Sequence, residues 1–313
     1  MAENKGWFVV RTVFIVLFLA LLWTGADATG SEKLVFIRGG NVWIANPSGM
    51  QERQLTFSGQ DGSPSLSPDG KWVLYHSGKD RLTGYGQLYL LSTAGGPPKK
   101  FDIKDVQGAQ DPTFSFDGNA FVFVGLSGAR LGDNGKMTAT MSVSTVDLLN
   151  LKFRTIVSHP STLLENGYVY DAPFLSPDQT LVAYQHAVSD LAGGFEIVDM
   201  KGKSLFRYPK DPTDGTPYRR PRFSPDGTHI LCFSPAMPEG SMDTVYLVDI
   251  KKGKKRKIVE GANPTFVEGG KAIVFEQAAS HWSNGIKSDL WYTRLGPGCV
   301  PKKVISNASQ PSD

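Results

Sequence analysis

A chain of 313 residues with 33 basic and 30 acidic side chains carries a formal net charge of +3. So mild an excess gives no basis for nucleic-acid binding, which needs a strongly basic face. Two cysteines are too few for a disulfide framework, and Cys232 and Cys299 are both expected to be free thiols. Five histidines are scattered without the spacing of metal ligands, so neither a metal site nor a cofactor is predicted.

Residues 1–28 have the organisation of a secretory signal peptide. Lys5 and Arg11 form a charged n-region, an apolar run follows over residues 13–23, and Ala-Asp-Ala at 26–28 is a small-x-small cleavage site. The apolar run is shorter than the about 20 residues of a membrane span. We therefore predict cleavage near Ala28 and export to the periplasm or medium. The alternative is an uncleaved membrane anchor formed by residues 7–23.

Three short apolar segments follow, at residues 34–37, 42–44 and 54–56, and they are separated by turn residues. They are predicted to be β-strands because they are short, rich in β-branched and aromatic residues, and bounded by Gly, Pro and Ser.

A turn phrase then recurs along the chain. Ser-Pro-Asp-Gly at residues 67–70 precedes an apolar segment, and versions of it return around Asp117, Asp178, Asp226 and Gly269, at spacings of 48, 61, 48 and 43 residues. Pro presets φ, Asp accepts hydrogen bonds from nearby amides, and Gly tolerates positive φ, so each phrase is a tight turn. The turn joins a short strand, A, to an apolar strand, B; strands C and D follow. Four antiparallel strands every 40 to 50 residues or so indicate a propeller blade.

The phrase resembles the turn of the TolB-like (WD40-like, PD40) β-propeller repeat family. It is intact at residues 67–70 and 224–227, and the other copies depart from it at Phe116, Gln179 and Gly269. The resemblance covers roughly residues 33–313. It implies an all-β fold, a six-bladed β-propeller of four-stranded antiparallel blades over residues 29–313, behind the signal peptide. It also implies a periplasmic protein that binds envelope proteins.

The first blade lacks a strand A, because only a few residues separate Ala28 from its strand B. The C-terminal tail, residues 307–312, is similar to residues 61–65 and 261–265, and Pro311 follows Pro264 by 47 residues, on the repeat period. We predict that the tail returns as strand A of the first blade and closes the ring. The alternative is a frayed C-terminus.

Loop lengths predict which face of the propeller binds a partner. The A–B and C–D turns are short and share one face, and the run of basic residues at 251–257 is interpreted as one such solvated C–D turn. Loops on a rigid scaffold carry function more often than the scaffold does. The long loops are predicted on the opposite face, at residues 77–86, 125–138, 158–171, 186–194, 208–219, 234–243 and 277–288.

Residues just ahead of each strand-A proline are expected at the channel mouth of the long-loop face, where they form a polar ring. Such a ring fits a charged ligand or a partner peptide, and it also fits a channel that holds water alone. The candidate partner-binding residues, at this mouth and on the loops, are Asp111, Tyr170, Asp171, Tyr218, Arg219, Arg220, Asn263, His281 and Trp282.

No Gly-x-Ser-x-Gly, His-Glu-x-x-His or P-loop motif occurs, so no catalytic residue is assigned. We expect a monomeric, exported binding module that presents its polar loop face to an envelope protein, peptide or glycan. It is not expected to bind nucleic acid, and membrane contact is expected only through an uncleaved N-terminal segment. The alternative is a carbohydrate- or peptide-processing enzyme that uses the channel mouth.

Overall fold

The computed structural model describes residues 33–312, except 81–82, 133–134, 164–168, 190–191, 211–215, 237–241 and 278–287. The predicted signal peptide therefore lies outside the described residues, as do His281 and Trp282. In the described part of the chain, no helix is long and apolar enough to cross a membrane.

The described residues form six four-stranded antiparallel sheets, which confirms the predicted six-bladed propeller. The one other element among them is a 3₁₀ turn, Glu268–Gly270. The strands, in chain order, are β1 (Leu34–Arg38), β2 (Asn41–Ala45), β3 (Arg53–Gln54), β4 (Asp61–Leu66), β5 (Trp72–Ser77), β6 (Gln87–Ser92), β7 (Lys99–Lys100), β8 (Gly108–Phe114), β9 (Ala120–Leu131), β10 (Met137–Asp147), β11 (Lys152–Leu163), β12 (Val169–Leu175), β13 (Leu181–Ser189), β14 (Ala192–Asp199), β15 (Ser204–Tyr208), β16 (Arg219–Phe223), β17 (His229–Ser234), β18 (Thr244–Asp249), β19 (Lys255–Glu260), β20 (Ala262–Val267), β21 (Ala272–Gln277), β22 (Asp289–Arg294), β23 (Lys302–Ile305) and β24 (Ser309–Ser312).

Blades two to six are meanders of four consecutive strands, β4–β7 through β20–β23, and their first strands surround the central channel. The first blade is built from both ends of the described chain, in the order β24-β1-β2-β3. Val35 lies opposite Ser312 and Ile37 opposite Ser309. Arg38 also holds the tail, because its Nη2 donates to the carbonyl of Ser306 at 2.9 Å. The two ends of the described chain therefore close the ring of blades by pairing within the sheet of blade one.

The strands B are apolar at consecutive positions because both of their faces are covered by neighbouring blades. Phe121, Val122, Phe123 and Val124 of β9 are all fully buried. Val122 and Val124 pack with Tyr184 of the next blade in one hydrophobic cluster. A strand buried on both faces has no polar side to alternate with, which explains the continuous apolar runs in the sequence.

The A–B turns of blades two to five are held by the same hydrogen bonds. In the first copy the Ser67 hydroxyl donates to Asp69 Oδ1 at 2.6 Å, and the same oxygen accepts from the amide of Lys71 at 3.0 Å. The hydroxyl oxygen of Ser67 accepts from the amide of Trp72 at 2.9 Å. Gly70 has a φ of 67°, a conformation that costs glycine little. The equivalent Ser–Asp pairs are Ser115–Asp117, Ser176–Asp178 and Ser224–Asp226.

We expect Asp69→Ala to lower the free energy of unfolding by about 1 kcal/mol, as for a lost local cap, without affecting partner binding. Asp102→Ala is the control, because that exposed carboxylate pairs with Lys100 on the surface and its loss should cost less than about 0.5 kcal/mol. Urea denaturation of both variants measures the difference. Equal costs would show that the turn hydrogen bonds contribute nothing.

The long loops predicted at residues 125–138 and 158–171 are largely strand, so this part of the loop prediction was wrong. Strand β9 continues to Leu131, β10 starts at Met137, and β11 reaches Leu163. The strands of blade three extend this far because every second side chain of β10, at Met137, Ala139 and Met141, is buried. The residues between them are polar. The segment 186–194 is also mostly strand, in the hairpin of β13 and β14.

Three C–D turns pack against the outer edge of the preceding blade through a left-handed glycine. Gly49 lies on the carbonyl of Val304, Gly202 on that of Ile156, and Gly253 on the side chain of Lys210, and in each case a Cβ would collide. This contact fixes where a C–D turn sits relative to its neighbouring blade.

Candidate functional site

A left-handed residue directly precedes the proline in every innermost strand. Their φ angles lie between 45° and 52°, and the strand pairing shifts register at the same place. A residue before proline normally adopts extended backbone, so six left-handed residues store strain that the surrounding structure must hold. We call these residues the pre-proline ring: Ser63, Asp111, Ala172, Arg220, Asn263 and Gln310.

The ring surrounds a cavity on the propeller axis. Its volume is about 20 Å³ for the centres of water-sized molecules, which is room for about one or two waters. The ring members that line it are Ser63, Asp111, Ala172, Arg220 and Gln310, and Pro64, Pro112, Pro173 and Pro221 line it with them. Larger groups can therefore approach the ring only from its mouth.

Side chains satisfy the amides of the strained ring residues. The amide of Ser63 donates to Gln310 Oε1 at 2.7 Å, and that of Gln310 donates to Glu276 Oε1 at 2.7 Å. The amide of Arg220 donates to Gln185 Oε1 at 3.2 Å. Glu276 Oε1 also accepts from Asn263 Nδ2 at 2.7 Å. The strained backbone thus persists because a belt of hydrogen bonds crosses from blade to blade.

Asp111 and Asp171 form a carboxyl pair at this ring. The Ser63 hydroxyl donates to Asp111 Oδ1. The amide of Ala172 donates to Asp171 Oδ1 at 2.8 Å and more weakly to Asp111 Oδ2 at 3.4 Å. The two carboxyl groups are also hydrogen-bonded to each other, which requires one of them to carry a proton.

The proton belongs to Asp171. Burial raises its pKa well above the ordinary carboxyl value, and the negative charge of Asp111 raises it further. Burial acts in the same direction on Asp111, but the hydrogen bond from Asp171 and the positive charge of Arg220 outweigh it. They hold the pKa of Asp111 well below its usual range. The pair therefore carries one negative charge.

Arg220 is the charged donor of the ring. Burial alone would lower the pKa of its guanidinium, yet the nearby carboxyl groups of Asp111, Asp171 and Glu276 raise it, so it stays charged. Among the residues that the structure describes, its guanidinium forms no hydrogen bond and no ion pair with a protein group. Arg220 is one of the residues that line the cavity.

The structure brings together some of the residues predicted from the sequence. Asp111, Asp171 and Arg220 meet at the ring, and Asn263 joins them through Glu276. Arg219 lies on β16 opposite Phe233, one residue outside the ring. The sequence reasoning missed Gln185, Glu276 and Gln310; the signal for the first two is a polar residue inside an otherwise apolar strand B.

The placement of Tyr170 and Tyr218 at the channel mouth is corrected by the structure. Tyr218 is fully buried and packs edge-on against Tyr208 at 4.8 Å between ring centres. Tyr170 is 8% exposed and packs in the same way on Tyr184 at 5.3 Å. Both rings fill the hydrophobic interface between blades.

No group of His, Cys, Asp and Glu within the described ranges is arranged to hold a metal ion. Cys232 is buried and Cys299 is exposed, and both are free thiols. Burial raises the pKa of the Cys232 thiol, which makes it unreactive.

These features define a six-bladed propeller with the fold of the TolB-like family. Among solved structures, the chain is similar to TolB from Acinetobacter baumannii, with a TM-score of 0.63 and 19% identity over 97% of this chain and 71% of that one. A putative TolB from Agrobacterium tumefaciens has a TM-score of 0.60 and 18% identity, over 88% and 87%. An oligogalacturonate lyase from Vibrio parahaemolyticus has a TM-score of 0.55 and 14% identity, over 85% and 71%. The sequence matches no family model and no curated protein.

Proposed function

We propose that this protein is an exported binding module that receives an oxygen-bearing group of an envelope protein, peptide or glycan at the mouth of the pre-proline ring. The observation that carries the proposal is the Arg220 guanidinium, which lines the cavity without a protein acceptor. The guanidinium is half-buried beside Asp111, Asp171 and Glu276, which keep it charged, so a partner oxygen placed there gains the strength of a charge-assisted hydrogen bond.

The ring around Arg220 suits recognition because it is built before the partner arrives. The belt of hydrogen bonds through Gln310, Glu276 and Gln185 holds its backbone, and little is left to order on binding. Export to the periplasm rests on residues 1–28 and agrees with the resemblance of the repeat to the TolB-like family.

The alternative, a carbohydrate- or peptide-processing enzyme, has less support. A polyuronide substrate is an acid, and at this ring one arginine faces the charged Asp111 and the nearby Glu276. Likeness to a lyase at 14% identity supports a shared fold only.

Capture from an envelope extract tests the proposal with Arg220→Gln. The variant should retain about a tenth or less of the wild-type capture, because a hydrogen bond to a charged donor is lost. Arg154→Gln, on the exposed outer strand β11, removes the same charge away from the ring and should capture normally. Equal capture by Arg220→Gln, at an unchanged melting temperature, contradicts the proposal. Turnover of oligosaccharide or peptide by the purified protein supports the enzyme instead.

A further inference from the structure

The C–D turn of blade five is the most basic part of the described surface. Its turn and the start of β19, residues 251–257, contain six basic side chains, and all six are exposed. Two pair with acids, Lys252 with Asp249 at 3.4 Å and Lys257 with Glu260 at 3.1 Å. Within the described residues, the other four have no ion pair: Lys251, Lys254, Lys255 and Arg256, of which Lys255 donates to the Tyr218 hydroxyl.

The fold adds another positive charge to this turn. Gly253 is left-handed, with a φ of 66°, and its missing side chain leaves space that the Lys210 side chain from the preceding blade occupies. Lys210 is exposed and its ammonium lies over the ring of Phe206 at 5.5 Å. A lysine held against a basic turn increases repulsion, and an anionic partner relieves it.

An exposed apolar side chain lies next to this basic surface. Val300 is 83% exposed, on the C–D turn of blade six, between β22 and β23. Leu295 of the same turn and Ile258 of β19 pack on one hydrophobic cluster, so the turn sits beside the basic strand. An apolar side chain at the tip of an exposed turn gains nothing from contact with water.

The pattern continues onto blade one. Met50 is 63% exposed on the C–D turn of that blade, which packs on the outer strand of blade six through Gly49 and Val304. Lys302 and Lys303 are exposed on that same outer strand. Along the rim of blades five, six and one, basic side chains therefore alternate with the apolar tips Val300 and Met50. We call this arc the basic–apolar rim.

We infer that the basic–apolar rim binds the surface of an anionic phospholipid bilayer. Basic side chains near such a surface are attracted to the headgroups, and exposed apolar tips gain by entering the boundary between headgroups and acyl chains. A soluble polyanion satisfies the charges but gives Val300 and Met50 no apolar surroundings. The combination of charge and apolar tips is what selects a membrane.

The rest of the same face explains why contact is made at the rim. The acidic turn formers Asp69, Asp117, Asp178 and Asp226 lie on the inner A–B turns of this face, nearer the axis. They are repelled by anionic lipid, so contact is made at the outer C–D turns of blades five, six and one and not near the axis. The mouth of the pre-proline ring, on the opposite face, stays open to its partner.

Vesicle co-sedimentation of the full chain tests the inference. Binding is compared between vesicles that contain phosphatidylglycerol and vesicles of phosphatidylcholine alone. The difference between them isolates the anionic-lipid contribution, since residues 1–28 are present in every variant. We expect the triple variant Lys251→Gln, Lys254→Gln, Arg256→Gln to lower this anionic-lipid contribution to binding by about tenfold or more. Val300→Ser should lower it by about threefold while leaving its salt dependence unchanged.

The matched control is the triple variant Lys79→Gln, Lys99→Gln, Lys104→Gln, which removes the same charge from blade two. It should change lipid binding by less than about twofold. An equal loss in both triple variants would show that net charge alone attracts the lipid, and would overturn the inference. Unchanged binding of Val300→Ser, together with equally tight binding to soluble dextran sulfate, would assign the rim to a polyanion instead.

Discussion

Asp171→Asn is expected to raise the melting temperature at about pH 8.5 relative to the wild type, while Asp111→Asn is expected to lower it at every pH. The two residues are neighbours in one hydrogen-bonded pair, yet their asparagine variants act oppositely. The reason is that Asp171 carries the proton of the pair and Asp111 the charge.

For Asp171 the folded state binds the proton more tightly than the unfolded chain, whose carboxyl pKa is about 3.9. The stability that this proton contributes is complete below that value and is lost as the pH rises through the raised folded pKa. An asparagine amide donates to Asp111 at any pH, and its oxygen still accepts from the amide of Ala172. The advantage of Asp171→Asn should therefore grow with pH.

For Asp111 the folded pKa is lowered, so its contribution is present above about pH 4 and is lost only as the pH falls through the lowered value. An asparagine amide at this position places its own N–H donors next to the donors of Ser63, Asp171 and Ala172, which then lose an acceptor. The substitution also removes the negative charge near Arg220. We expect a cost of about 2 kcal/mol, as for buried hydrogen-bond donors that lose their acceptor.

Thermal denaturation at about pH 5 and 8.5 measures both effects. The double variant Asp111→Asn, Asp171→Asn is the control, because two amides can pair and part of the loss should be recovered if the residues act together. A larger loss for Asp171→Asn at high pH than at low pH would place the charge on Asp171 and contradict the assignment.

The blade number was predictable because the A–B turn is a local structure. Ser67, Asp69 and Gly70 make its hydrogen bonds and its left-handed turn within a few residues, so the phrase can be recognised in the sequence of blades two to five. The strand lengths of blade three were not predictable in this way. Met137 and Ala139 are buried by contacts with distant residues, and no local signal marks them.

The candidate site was predictable only in part, for the same reason. Counting to the residue before each proline finds Asp111, Arg220 and Asn263, since the repeat fixes that position. It cannot find Glu276, which reaches the ring from strand β21 and depends on register. Tyr218, two residues before Arg220, was misplaced because the strand turns it into the blade interface rather than toward the axis.

Deleting residues 309–313 is expected to destabilise the whole propeller by about 4 kcal/mol or more. The deletion removes β24, in which Pro311 and Ser312 are buried, and leaves the inner edge of β1 unpaired. It also removes Gln310, the acceptor of the Ser63 amide and the donor to Glu276. The opened ring exposes a strand edge that can pair with a second molecule.

Gln310→Ala distinguishes the contribution of strand β24 from that of the Gln310 side chain. The variant keeps β24 and loses only the hydrogen bond from the Ser63 amide. Its expected cost is about 1 kcal/mol, the usual contribution of one hydrogen bond. Thermal denaturation compares the two variants, and analytical ultracentrifugation detects dimers formed through the exposed edge of β1. If the truncated chain melts within about 2 °C of the wild type and stays monomeric, the blade does not depend on its last strand for stability. The rest of the ring would then hold β1 in place through the contacts of Phe36 and Leu34 with blade six.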